Sequence, residues 1–192
     1  MPKSLFGFLF VSVLIFGCQN NKQESKNYFD SLLTTTNDYL VTNKALLYKQ
    51  TFLGQKQDTI TFRPDSLTWS NELDVFRQLN TFQLPAYRDK YKLMDGLKDS
   101  QSNLLIREFR ASVEIPIPFI RFYYYQKIKN LKRIEAEYHE NNTLYNSRRH
   151  LILEFEQRDD KPVLTRYSID GVQQMILSDS VTYAITGGVS FN

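Results

Sequence analysis

Residues 131–156 read LKRIEAEYHENNTLYNSRRHLILEFE, and the alternation in this stretch decides the fold. Ile134, Ala136 and Tyr138 share one parity; Leu151, Leu153 and Phe155 share the other. Strand side chains alternate between faces, so each set lies on one side of its own strand. Facing the two sets across an antiparallel pair requires an even-numbered loop, because a slip of one residue would turn one set to the opposite side. Asn141-Asn142 meets that demand, since asparagine tolerates the positive φ of a tight hairpin turn. The next pair tests the same logic. Val163, Tyr167 and Ile169 are odd like Leu151, Leu153 and Phe155, and Gln157 to Lys161 makes the odd loop of five residues that this match needs.

Working outward, the same period of two recurs from Tyr91 onward. Asn103 to Ile115 alternates, Ile117 to Tyr125 is β-branched and aromatic, and Leu131 to Glu140, Leu144 to Glu156, Val163 to Ile169 and Val181 to Val189 follow with polar turns between them. An antiparallel meander of at least six strands is expected. Pro116 and Pro118 flank Ile117 and cannot donate to a ladder, so they read as a bend or as an edge-facing start of that strand, in a curved sheet.

The N-terminal half has a different rhythm. Phe29, Leu32, Leu33, Thr36, Leu40 and Leu47 fall at steps of three and four, as do Trp69, Leu73, Phe76 and Leu79, which predicts two helices with one apolar face each. Thr34-Thr35-Thr36-Asn37 is a weak helix former, so the first helix depends on packing. Pro64 gives a break and Asp65-Ser66 a cap before the second. Ala45 to Phe62 is either a hairpin about Gly54-Gln55 or a helix end and one strand. The expected fold class is α+β: a curved antiparallel β-sheet of about six or more strands with N-terminal helices packed on one face.

Composition narrows the function classes. The 192 residues, 42% hydrophobic, suit one domain, and a net charge of +3 gives no long-range field of the kind nucleic-acid binding uses. One cysteine and two histidines exclude a disulfide framework and a multi-thiolate zinc site.

The first eighteen residues carry an address. Lys3 is followed by a mostly apolar run of twelve, Leu5 to Phe16, then Gly17 and Cys18. A membrane-spanning helix needs about 20 apolar residues, so the run is a secretory segment rather than an anchor. Ile15-Phe16-Gly17-Cys18 resembles the lipobox of bacterial lipoproteins, and that resemblance implies a diacylglyceryl group on Cys18, cleavage before it and acylation of the new amino terminus. Two or three acyl chains anchor a protein firmly where one does so only marginally. The polar Gln19 to Lys26 then reads as a tether. The division is a signal peptide over 1–17, lipidated cysteine and tether over 18–26 and one domain over 27–192. With its NTLYNS and SDSVTYAI segments, the mature chain resembles the small uncharacterised lipoproteins of Bacteroidetes. The implied setting is the periplasmic face of the outer membrane, without an activity.

Candidate chemistry is sparse. With Asn141-Asn142 as the turn, His139 lies opposite Leu144 and His150 about 20 Å further on, too far to share a metal. Glu135 with Glu137, and Glu154 with Glu156, read as solvated outward faces, and Asp159-Asp160 as a loop. No G-x-S-x-G elbow, S-x-x-K, Walker-type or dinucleotide glycine pattern occurs, so no catalytic residue, metal or cofactor is assigned. Arg121, Lys127, Lys129, Lys132 and Arg133 form a stretch of five cations without an acid, suited to anionic head groups, carboxylated polymers or an acidic partner, or simply to a charged hairpin. Phe119, Arg121, Tyr123 and Tyr125 alternate onto one face, Phe122 and Tyr124 onto the other. Arg121, Tyr123 and Tyr125 could edge a pocket for an amphipathic or sugar ligand; otherwise the rings complete a second small core. The expected function is a membrane-anchored envelope domain that binds a ligand or protein partner, similar in outline to periplasmic carriers of lipids and lipoproteins. The alternatives are an accessory subunit of an envelope complex and, third, a hydrolase.

Overall fold

The computed structural model describes residues 28–158, 161–176 and 179–191. The leader, Cys18 and the tether lie outside the described residues. Nine strands form one open, wholly antiparallel sheet: β1 (Leu46–Leu53), β2 (Lys56–Phe62), β3 (Tyr91–Lys98), β4 (Leu105–Ala111), β5 (Phe119–Tyr124), β6 (Leu131–Asn141), β7 (Tyr145–Arg158), β8 (Lys161–Met175) and β9 (Val181–Ser190). Their spatial order is β2-β1-β9-β8-β7-β6-β5-β4-β3, a meander closed at one end by the β1–β2 hairpin against β9. Helix α1 (Tyr28–Thr42) precedes the β1–β2 hairpin, and α2 (Ser66–Arg77) follows it and runs on into a 3-10 segment Gln78–Gln83 and a single turn, α3 (Pro85–Arg88).

The predicted helix stripes are the buried ones. Phe29, Leu33, Thr36 and Leu40 of α1 and Trp69, Leu73 and Phe76 of α2 are buried, with Leu79 continuing the second stripe into the 3-10 segment. Leu47 does not belong to the first stripe. Lys44 takes a positive φ of 51°, its N–H bonds to Val41 O, and the Ala45 N–H reaches back to Leu40 O at 2.9 Å, which ends the helix in a left-handed cap and starts β1 at Leu46. The ambiguous 45–62 segment is thus the hairpin, turning on Gly54 at φ 57°. At α2, Asp65 Oδ1 accepts from the Thr68 N–H at 2.8 Å, so the expected cap forms.

Sheet parity holds except at Val163, although its turns move. Ile134 pairs with Leu153 and Ala136 with Leu151, while Leu153 faces Tyr167 and Leu151 faces Ile169. Asn141-Asn142 is not the centre of the β6–β7 turn. Asn142 opens it instead, its side chain accepting from the N–H groups of Leu144 and Tyr145, so the loop shifts by an even step and parity survives. The β7–β8 loop is shorter than Gln157 to Lys161, because Arg158 already pairs with Lys161. A bulge at Thr165 absorbs the difference: Phe155 faces Leu164, and Val163 turns to the side opposite Tyr167. Strand β5 starts at Phe119 rather than Ile117, which lies fully buried between the two prolines.

The main core joins helices to sheet. Phe29 meets Phe122, Phe76 meets Tyr167 edge-on at 6.0 Å, and Phe82 of the 3-10 segment meets Phe109 at 5.2 Å. The phenol of Tyr167 donates to Glu72 of α2 at 2.7 Å, and Lys49 of β1 binds the same carboxylate at 2.7 Å. This contact needs a glycine. A Cβ on Gly187 would stand 2.1 Å from the Tyr167 ring, whereas one on Gly188 meets nothing closer than 3.9 Å. Gly187→Ala is expected to cost about 1–3 kcal/mol in urea unfolding, through displacement of the ring. Gly188→Ala should stay within about 0.5 kcal/mol, and equal losses in both would remove the ring-over-glycine explanation.

Candidate functional site

Alternation gives β4 to β7 two unlike sides. Ile134, Ala136, Leu151 and Leu153 point into the core, which forces Glu135, Glu137, Arg148 and His150 onto the other side, in line with Glu108 and Arg121. These side chains are not independent solvated charges. Glu108, only 5% exposed, is gripped at both oxygens, by Arg110 Nε at 2.5 Å and Arg121 Nε at 2.5 Å. Burial raises its pKa, but the two guanidiniums outweigh burial and hold it below the usual carboxylate value.

Glu135 is the hub. His150 Nε2 lies 3.1 Å from one oxygen, the Tyr123 phenol donates to the other at 2.5 Å, and Arg133 and Arg121 approach at 3.6 and 3.9 Å. Its pKa falls to about 2, chiefly through the bond to His150; burial opposes the fall, and Tyr123, Arg133 and Arg121 reinforce it. Reciprocally, Glu135 raises the pKa of His150 against burial, with Asp170 and Glu137 adding to the rise. Burial and then Glu135 raise that of Tyr123. The arginines also cover the rings: Arg133 lies 3.8 Å over Tyr123 and Arg121 4.6 Å over Phe119.

The residues singled out from sequence are therefore separated. Arg121 and Tyr123 share a face as expected, each occupied within the network. Tyr125 does not continue their alternation, because β5 ends at Tyr124 and a bulge at Lys132 breaks the register. Tyr125 instead closes the turn, its carbonyl accepting from Lys127 N–H and Asn130 Nδ2, and Gln126 takes φ 58°. Tyr124 bonds Asp95 at 2.8 Å, beside the Arg107–Asp95 ion pair. The five cations divide likewise. Arg121 and Arg133 serve Glu108 and Glu135, Lys127 and Lys129 stand exposed in the turn, and Lys132 is half-buried.

The two histidines stand much closer together than a turn at Asn141-Asn142 would place them. His139 pairs with Arg148, and His150 with Glu137, so the two are diagonal neighbours about 7–8 Å apart, not 20 Å. Moving the turn to Asn142 causes this. Each ring nitrogen goes to a different carboxylate, His139 to Glu137 at 3.0 Å and His150 to Glu135, and among the described residues no acid or imidazole group is arranged to hold a metal.

No local motif in the sequence points to the concavities among the described residues, and two of them bear on the charged groups above. One, about 430 Å³, lies on the charged face and includes Glu137, Arg148, His150, Asp170 and Phe52. The other, about 180 Å³, sets Arg107 among Tyr28, Phe82, Phe109, Phe122 and Ile128. It joins an arginine with aromatic rings on the core side, away from Arg121 and Tyr123. Both draw on strands distant in the chain, so no local motif marks them. Comparison with known proteins brings no matching family model, no matching curated protein and no matching solved structure.

The Glu135–His150 pair sets a pH window. The depressed pKa of Glu135 contributes stability that is present above pH 4.5 and lost as pH falls toward about 2. The raised pKa of His150 contributes stability that is full below pH 6.5 and lost as pH rises through its higher folded value. The penalty of His150→Gln in urea unfolding should accordingly be greatest between pH 4.5 and 6.5 and shrink above it. A penalty independent of pH would mean that the pair carries no charge coupling.

Proposed function

We propose that this chain is a lipid-anchored lipoprotein of a bacterial envelope, held by acyl groups on Cys18 at the periplasmic face of the outer membrane and acting as a non-enzymatic binding domain. In this reading the helices cover one face of a curved sheet, and the charged face, turned away from them, meets a ligand or partner.

The observation that favours recognition over chemistry is the state of the two most enclosed acids on the charged face. Glu108 and Glu135 are both held as anions by surrounding cations, with pKa values displaced downward. A general acid needs displacement the other way, and paired carboxylates that divide acid and base work have pKa values pushed apart. Anchoring rests on the Ile15-Phe16-Gly17-Cys18 pattern and the polar segment after it. Among the described residues, no helix is long and apolar enough to cross a membrane.

A second reading, an accessory subunit of an envelope complex, draws on the edge hairpin. Tyr48, Phe52, Leu53 and Ile60 of β1 and β2 are 36–53% exposed, and β2 is an edge strand with unpaired backbone groups on its outer side. Crosslinking through the hairpin to one protein partner would favour that role.

The anchoring proposal is tested by growing the source cells, or a bacterial expression host, with labelled palmitate. Label should enter the protein and fractionate with the membrane, and Cys18→Ser should abolish both. An unlabelled protein beside a labelled control lipoprotein would overturn it.

A further inference from the structure

The larger concavity has a composition that points to a ligand class. On the charged face one row of paired residues runs Glu137, His150, Asp170, Ala184, Phe52 across β6, β7, β8, β9 and β1. The row beside it runs Arg148, Val172, Thr182, and the N–H of Gly54 bonds to the Thr182 carbonyl beyond the end of β1. Ala184 and Gly54 are short where Asp170 and Phe52 are long. The face sinks between them into the open depression of about 430 Å³, within the range of small-ligand sites.

Its charged groups differ in what they already hold. His150 is tied to Glu135, and Glu137 to His139. Arg148 and Asp170 are uncommitted: among the described residues neither makes a side-chain hydrogen bond or an ion pair, with each other or with anything else. Their places explain why. Asp170 is opposite His150 and Arg148 is opposite Val172, which makes them diagonal neighbours about 7–8 Å apart. An exposed pair at that spacing would gain less than about 1 kcal/mol by closing, so both groups remain available.

Beside the paired Glu137 and His150, one uncommitted cation and one uncommitted anion thus border the same hollow, with Phe52 at its side. A purely anionic ligand would meet Asp170, a purely cationic one would meet Arg148, and an uncharged one would leave both charges partly desolvated and unpaired. A molecule carrying both charges satisfies both. We infer that this depression binds a small zwitterion, an α-amino acid or unblocked dipeptide, with the ligand carboxylate on the Arg148 guanidinium, its ammonium on Asp170 and its side chain against Phe52. The guanidinium fork suits a carboxylate in two-point contact, and the carboxylate of Asp170 suits an ammonium. This inference rests on the binding-domain reading and supplies its ligand.

The test uses the full chain in detergent and three probes: L-alanyl-L-phenylalanine, its N-acetyl form and its C-terminal amide, titrated calorimetrically. The free dipeptide should bind, and each blocked form should bind at least about tenfold more weakly, a loss of about 1.4 kcal/mol per missing charge contact. Arg148→Gln should erase the preference for the free carboxylate while keeping that for the free amine, and Asp170→Asn should do the reverse. Both side chains are exposed and without partners among the described residues, so both variants should unfold at the wild-type temperature. Absence of binding, equal binding of all three peptides, or variants with unchanged discrimination would overturn the inference. Such a result would leave the anchored binding domain intact if Cys18 takes up palmitate, whereas absence of palmitate would remove the anchored domain whatever the dipeptides do.

Discussion

Pairing β6 with β7 so that Ile134 meets Leu153 and Ala136 meets Leu151 constrains everything else in the molecule. With a period of two, burying those four residues leaves Glu135, Glu137, His150 and Arg148 no choice but the opposite side. A register slip of one would drive either Glu135 and Glu137 of β6 or Arg148 and His150 of β7 into the core and expose the aliphatic set of that strand. The cost of burying unpaired charge, several kcal/mol per ion, far exceeds what any single turn could offset. The even β6–β7 loop and the bulge at Thr165 are therefore subordinate features: each accommodates a register that burial has already chosen.

On the charged face a different balance operates. Glu108 is almost fully enclosed by its own arginine partners, and the charge-assisted hydrogen bonds from Arg110 and Arg121 outweigh the burial of its carboxylate. Removing one partner from the network would strand a charge. What it provides is position. Arg121, Arg133 and Tyr123 are held by Glu108 and Glu135, and the rings of Phe119 and Tyr123 lie beneath guanidinium groups instead of beneath water or a second apolar layer.

These two balances explain which features could be read from the residues alone. The apolar stripes of both helices, the Asp65 cap and the strand parities rest on local spacing and on burial, and they are present in the fold. Leu47 matched the helix stripe numerically, but the left-handed cap at Lys44 had already ended the helix, and no glycine announces that cap. The bulge at Lys132 and the Asn142 turn are single-residue events with no composition signature, and they displaced Tyr125 and both histidines. Glu135 looked like an ordinary outward acid because its partners come from β5, β6 and β7 together. Sequence alternation assigns a side chain to a face. It does not say who stands beside it.

The division between committed and uncommitted charge follows from the same geometry. Near β4, β5 and β6 the cross-strand rows bring arginine directly against glutamate, so opposite charges meet and are used up. Further along, β8 and β9 place Val172, Thr182 and Ala184 in these rows, and Arg148 and Asp170 there are diagonal rather than facing. A short side chain in a cross-strand position does two things together. It removes the neighbour that would have neutralised a charge, and it lowers the surface at that point. Concavity and free charge consequently arise at the same place on this sheet, and the part of the face with the weakest internal pairing is the part with most to offer a ligand.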